Sequence, residues 1–234
     1  MLSAAQKVTT MCSREAGVGA PFNGNETTIN STGGGDDASC IAMAATVNKR
    51  GPSEVAVRLA KLGDAANLTV IINTAIRASR VDRVNEFGVD RVTSDGKQVT
   101  RLIQKPSSAF LVAEEPDADR NPRIVGCCHV SWSRVTDKNY LKPNAFIGML
   151  AVPEEFGKRG IGTLLMASAE QYFRQELKHE DITVEISVFH LREDLCAWYE
   201  RLGYKKGSTV PYPRPEILRE GLDATMQLMT KKIP

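Results

Sequence analysis

The stretch VPEEFGKRGIGTLL, Val152 to Leu165, gathers three glycines and a Lys-Arg pair between an apolar run and a helical pattern. A strand that enters a glycine-rich turn and then a helix leaves backbone N–H groups free at the helix start. Gly160 and Gly162 carry no side chains, so a phosphate can approach the backbone, and Lys158 and Arg159 add positive charge. A pyrophosphate is a physically sensible guest. On the loop alone a plainer reading stands equal, in which the glycines only make a tight turn. Two phosphate signatures fail. GxxxxGK[ST] does not fit, because Thr163 and Leu164 follow Gly162. GxGxxG does not fit either, because Leu165 stands where its third glycine belongs.

Groups able to move protons are few. Glu185 lies mid-way along ITVEISVF on the polar parity with Thr183 and Ser187. Such a carboxylate is either a solvated strand residue or a proton acceptor. His129, on the polar parity of its strand with Ser131, and His190 are weaker candidates. Tyr199 lies on an amphipathic helical pattern, where a core aromatic is the plain reading. The 5 cysteines, Cys12, Cys40, Cys127, Cys128 and Cys196, show no CxxC spacing. They suggest neither a disulfide framework nor a metal site. Cys127, Cys128 and Cys196 read as small buried residues.

The elements that must position these groups follow from periodicity. A strand begins near Val55 to Leu62. Asp64 is an N-cap for a helix carrying Ala65, Leu68, Ile71, Ile72 and Ala75 on one face. Residues 79 to 96 are polar and read as a loop with helical pieces. Lys97 to Gln104 predicts a short helix stopped by Pro106. Ala109–Glu114 and Arg123–Trp132 predict a hairpin joined through Asp117 to Pro122. Phe146–Val152 is a third strand, a helix follows from about Gly160, and Ile182–Phe189 is a fourth strand. Asp194–Leu202 is a helix closed by Gly203 at the C′ position. A last strand lies near Met226 to Lys232. A hairpin group followed by alternating strands and helices predicts a single α/β domain with a mixed sheet and helices on both faces.

Bulk properties narrow the class. The chain has 234 residues, with 30 Lys and Arg against 28 Asp and Glu. A net charge of +2 with no basic block argues against a non-specific nucleic-acid binder. No apolar run reaches the roughly 20 residues of a membrane helix. Residues 1–52 are rich in small polar residues, as in NGNETTINSTGGGDD from Asn23 to Asp37. They are expected to be a disordered tail, with patchy order near Ile41 to Ala45, ahead of a folded domain over 53–234. The N-terminus is acid-poor up to Glu15 and carries Lys7 and Arg14, a faint transit-peptide pattern. A reducing, cytoplasmic compartment is the expectation.

IGMLAVPEEFGKRGIGTLLMASAE, Ile147 to Glu170, resembles the acetyl-CoA motif of the GNAT N-acetyltransferase superfamily, written [QR]xxGx[GA] after a strand ending like LAV. EISVFHLREDLCAWYERLGYKK, Glu185 to Lys206, resembles the family's later strand and helix, ending in YExxGY. The VPYP run beyond it is similar to a small-molecule acetyltransferase-like subgroup. The two blocks, about 40 residues apart in the expected order, extend the resemblance over roughly residues 54 to 232. One departure concerns the Gln/Arg position, which is Gly157 here.

The resemblance implies a mostly antiparallel central sheet and transfer of an acetyl group from acetyl-CoA to a primary amine by direct attack, without a metal. It implies that backbone amides of Arg159, Gly160, Ile161, Gly162 and Thr163 hold the pyrophosphate, with Lys158 beside them. It also implies that the strand splays from its parallel neighbour, so that Leu150, Ala151 and Val152 meet the pantetheine arm and one N–H polarises the thioester. Tyr199 occupies the position of the family's thiolate-protonating tyrosine. Arg192 stands where many members carry Asn near coenzyme A, and either touches the cofactor, braces the helix start or is a surface residue. A common acidic position is Phe146 here, which leaves Glu185 as the leading base; a water chain is the other route. A non-catalytic acyl-CoA-binding or sensor protein of the same fold is the alternative. The acceptor would be read by residues 79–104 and the VPYP region, and the oligomeric state is not legible.

Overall fold

The computed structural model describes residues 55–78, 91–133, 144–178, 182–218 and 224–234. The expected tail, the patch near Ile41 to Ala45 and most of the 79–96 segment lie outside these residues. Among the described residues seven strands form one sheet: β1 Ala56–Leu59, β2 Ser108–Pro116, β3 Pro122–Ser133, β4 Asn144–Ala151, β5 Ile182–Phe189, β6 Lys205–Pro211 and β7 Thr225–Ile233. Their order is β1-β2-β3-β4-β5-β7-β6. Only β4 and β5 pair in parallel, and every other neighbouring pair is antiparallel. The expected mixed, mostly antiparallel sheet is present.

Helices cover both faces. The first two, α1 Ala65–Ala78 and α2 Lys97–Gln104, bury Leu68, Ile72 and Val99 against Phe110, Val112, Cys127 and Ala151. On the other face, α3 Ile161–Leu177 and α4 Glu193–Arg201 bury Leu165, Phe173, Cys196 and Tyr199 against Cys128, Val130, Ile147, Val184 and Ile186. Alternation along β5 explains the division. Ile182, Val184 and Ile186 are buried toward α3, and Thr183, Glu185 and Ser187 are half-buried on the opposite parity.

Three details refine the expected elements. Asp64 is not the N-cap of α1. It ends a short 3₁₀ turn, Leu62–Asp64, and its carboxylate accepts the Lys61 N–H at 2.7 Å and an Arg58 guanidinium N–H at 2.7 Å. Gly203, at φ +92°, closes α4 as expected: its N–H donates to Glu200 O and the Tyr204 N–H donates to Tyr199 O. That double bond pattern needs a left-handed residue, which favours glycine. The edge strand β6 is absent from the elements the periodicity predicts, because KKGSTVP is almost wholly exposed and carries no alternation.

Candidate active site

The start of α3 is built for close approach. Gly160 precedes it at φ +82°, and no side chain among the described residues caps the helix. The first helical bond is Leu164 N–H to Gly160 O at 2.9 Å. The N–H groups of Ile161, Gly162 and Thr163 therefore stand ahead of the ladder, and no acidic residue lies in the first turn to meet them. Gly162 faces the Trp198 ring of α4, which a Cβ there would meet at 3.5 Å. Gly126 of β3, which sequence reasoning did not single out, seats this helix start. A Cβ on it would lie 3.1 Å from Ile161 Cγ2 and 3.2 Å from Ala151 O. Its only sequence signal is a glycine inside a strand pattern, a mark of close approach.

The loop before α3 makes a short 3₁₀ turn, Glu154–Phe156. A Cβ on Gly157 would come 2.9 Å from Glu154 O, so the turn leaves little room there for the long side chain of the common motif. Lys158 is exposed at φ +59°. The Arg159 guanidinium is held by Glu115 of β2, with NH1 donating to Oε1 at 3.2 Å and NH2 to Oε2 at 2.5 Å.

Beside the loop, the sheet opens. The parallel pairing of β4 with β5 covers three rungs only, Asn144–Thr183, Ala145–Val184 and Phe146–Glu185. Beyond Phe146, the β5-facing edge of β4 has no ladder partner among the described residues. A bulge in the same strand shifts the β3 register between Cys127–Ala151 and His129–Gly148. Met149 sits in it at φ +47°. The extra residue reverses the facing of the strand beyond it. Ala145 and Ile147 face α3, yet so do Leu150 and Val152, while Met149 and Ala151 face α1.

Tyr199 of α4 points into the α3-side core with 9% of its surface exposed. Its ring meets Trp198 at 4.7 Å and Tyr204 at 5.9 Å between centroids. Its hydroxyl makes no hydrogen bond among the described residues, and burial raises its pKa well above the ordinary value. Glu185 ends the last rung of the parallel pair, on the opposite face, between Phe146 and Thr230. It has no ion pair among the described residues, and burial pushes its carboxyl above the usual range.

A glycine-turned helix start with open amides, beside two parallel strands that part after three rungs, is the arrangement the resemblance implies. The sequence pattern described as the acetyltransferase (GNAT) family matches residues 81–204, just over half of the chain. The chain belongs to the GNAT acetyltransferase family. By family it is an acetyltransferase with acetyl-CoA as cosubstrate. An uncharacterized N-acetyltransferase of Chlorobaculum tepidum is 26% identical to this GNAT chain over 137 residues, 58% of it and 75% of the relative. The fold agrees with solved structures. The putative acetyltransferase yncA of Salmonella typhimurium with acetyl-CoA gives a TM-score of 0.53 at 18% identity, over 77% of this chain and 94% of that one. The Arabidopsis thaliana protein NAA60 in complex with acetyl-CoA gives 0.54 at 16% identity, over 76% and 98%.

Acetyl-CoA fits the residues of this GNAT chain. Its pyrophosphate needs donors, which Ile161 to Thr163 offer as open amides, and its pantetheine arm needs an unpaired strand edge, which β4 offers after Phe146. The departing thiol needs a proton donor, and the buried Tyr199 hydroxyl is unpartnered among the described residues. Other candidates are differently engaged. Arg192 N-caps α4 and forks onto Asp194 with two bonds of 2.8 Å. Nδ1 of His190 lies 3.1 Å from both the N–H and the carbonyl oxygen of Thr225. Ser108 gives its hydroxyl proton to Leu102 O, so His129 Nε2, 2.8 Å away, must donate to it. Burial takes the His129 pKa down to about 4, which keeps the ring neutral. The thiols of Cys127, Cys128 and Cys196 are buried and free, and burial pushes Cys128 up to about 12. Among the described residues no group of three or more His, Cys, Asp or Glu could hold a metal ion. No described helix is long and apolar enough to cross a membrane.

Proposed function

We propose that this acetyltransferase acetylates a primary amine by direct attack on the acetyl-CoA thioester, with Glu185 as base and Tyr199 as acid. The observation that carries the reading is the place of Glu185 at the crotch where β4 and β5 part. Half-buried there and without an ion pair among the described residues, it can hold the arriving ammonium and take its proton. Its raised pKa brings it closer to that of the group it must deprotonate.

Parity supports a division of labour. Glu185 lies on the face opposite Tyr199, so the amine enters from one side of the gap and the thiol leaves on the other. The amine lone pair forms the new C–N bond, and the C–S bond breaks. Glu185 takes the ammonium proton before attack and releases it to solvent, the leaving sulfur takes the Tyr199 proton, and the second proton lost by nitrogen returns Tyr199 to its neutral form through solvent. Leu150, Ala151 and Val152 supply the unpaired β4 edge, one of whose N–H groups polarises the carbonyl. The backbone amides of Arg159 to Thr163 supply the phosphate donors, with the exposed Lys158 as the positive charge beside them. Arg192 holds the start of α4 and so the position of Tyr199.

The test is incubation with acetyl-CoA and a panel of primary amines, secondary amines and alcohols, following thiol release and product mass. The reading expects a gain of one acetyl group on primary amines only. Turnover confined to alcohols would overturn it.

A further inference from the structure

We propose that the side chain of Arg159 is a positioning group that braces the coenzyme loop through Glu115, rather than a ligand of the coenzyme phosphates. The proposal rests on the loop reading above. Glu115 closes the far end of the β2–β3 hairpin, directly across the ladder from Arg123. Its side chain is 9% exposed, so the carboxylate needs partners. It has two. Arg159 forks onto both oxygens at 3.2 and 2.5 Å, and Arg123 NH2 donates to Oε1 at 2.8 Å. Those guanidiniums hold the carboxyl of Glu115 below the usual range, so it remains ionised.

Phe156 completes the cluster. It is the buried residue of the 3₁₀ turn that enters the loop. The Arg123 guanidinium lies 4.9 Å from its ring centroid and that of Arg159 lies 5.9 Å away. One carboxylate and one ring therefore tie the loop, at both of its arms, to a hairpin 44 residues earlier in the chain. Next in sequence to Arg159 is Gly160, whose backbone starts α3. With a planar fork already engaged on both sides, Arg159 has its donors turned to Glu115 rather than to the helix start. The positive charge left over at the loop is Lys158, which is exposed.

The test compares Glu115→Gln, Arg159→Ala, Arg159→Lys and the Glu115→Gln/Arg159→Ala double variant. A brace and a phosphate ligand predict opposite signs. For a brace, each single variant weakens coenzyme A binding by about three- to tenfold, and the double variant is no worse than the weaker single, as for two partners of one interaction. Arg159→Lys behaves like Arg159→Ala, since an ammonium does not reproduce a bidentate fork. KM for acetyl-CoA rises while KM for the amine holds. Hydrogen exchange at Phe156 to Leu164 is faster in Glu115→Gln without coenzyme, a readout that stands even if coenzyme A binds elsewhere. The proposal is overturned if Glu115→Gln tightens coenzyme A binding while Arg159→Ala weakens it, or if Arg159→Lys restores parental affinity. Unchanged exchange in Glu115→Gln would likewise overturn it. Parental protein that binds no coenzyme A would sink the loop reading instead, and the exchange result would still decide the brace.

Discussion

Removing one oxygen atom at Tyr199 should move activity and stability in opposite directions. The ring is 9% exposed and packs edge-on against Trp198 and Tyr204, contacts that phenylalanine keeps. The hydroxyl is buried without a hydrogen bond among the described residues. A buried hydroxyl in that state costs about 1–3 kcal/mol. Tyr199→Phe should therefore fold at least as well, with Tm raised by roughly 2–4 °C for each kcal/mol relieved in a domain of this size. Activity should fall. A positioned general acid contributes about 10²–10⁴ in rate. A thiolate with a pKa near ~8.5 is a fair leaving group without help, so the loss belongs at the low end, about 10²-fold in kcat. Calorimetry of coenzyme A binding should change little. The raised phenol pKa also means that Tyr199 stays protonated through neutral and mildly alkaline assays. Paired measurements of thiol release and thermal unfolding decide the matter. Equal kcat in both proteins removes Tyr199 from the mechanism. A Tm loss of several degrees shows that the hydroxyl has a structural partner.

Three further outcomes rest on the same geometry. Activity should rise with pH along a limb above the ordinary carboxylate range, because a base works only when deprotonated and burial holds the Glu185 proton longer; Glu185→Gln should abolish that limb, and an unchanged profile would exclude Glu185. Gly160→Val should block coenzyme A binding in calorimetry, because a branched side chain would fill phosphate space and force a left-handed backbone at φ +82°; unchanged affinity would count against the loop. Removing residues 1–50 should leave Tm nearly unchanged if that segment is a tail outside the folded domain, whereas a large drop would show that it packs on the core.

Much of this architecture was legible from periodicity, and the failures have physical causes. The bounds of α2 and β5 come from the stop at Pro106 and from strict alternation. The glycines mark a strand–turn–helix, and the YExxGY block marks Tyr199. The bulge in β4 left no trace, because its left-handed residue is Met149 rather than a glycine. Yet it reverses the facing of the strand and thereby turns Leu150 and Val152 toward α3. Gly126 is locally just a glycine in a strand pattern, and its role is set by Ile161 across the fold. The Glu115–Arg159 pair joins residues 44 positions apart, and nothing local in either segment marks them as partners. Local patterns read out what local sterics decide, and these features are decided by contacts across the fold.

The central claim is that coenzyme A lies across the open amides of α3 and the unpaired edge of β4. Amide hydrogen exchange with and without coenzyme A tests it directly. The account predicts slowed exchange in two segments together, Ile161 to Thr163 and Leu150 to Val152. Coenzyme A that binds and protects neither segment would contradict it.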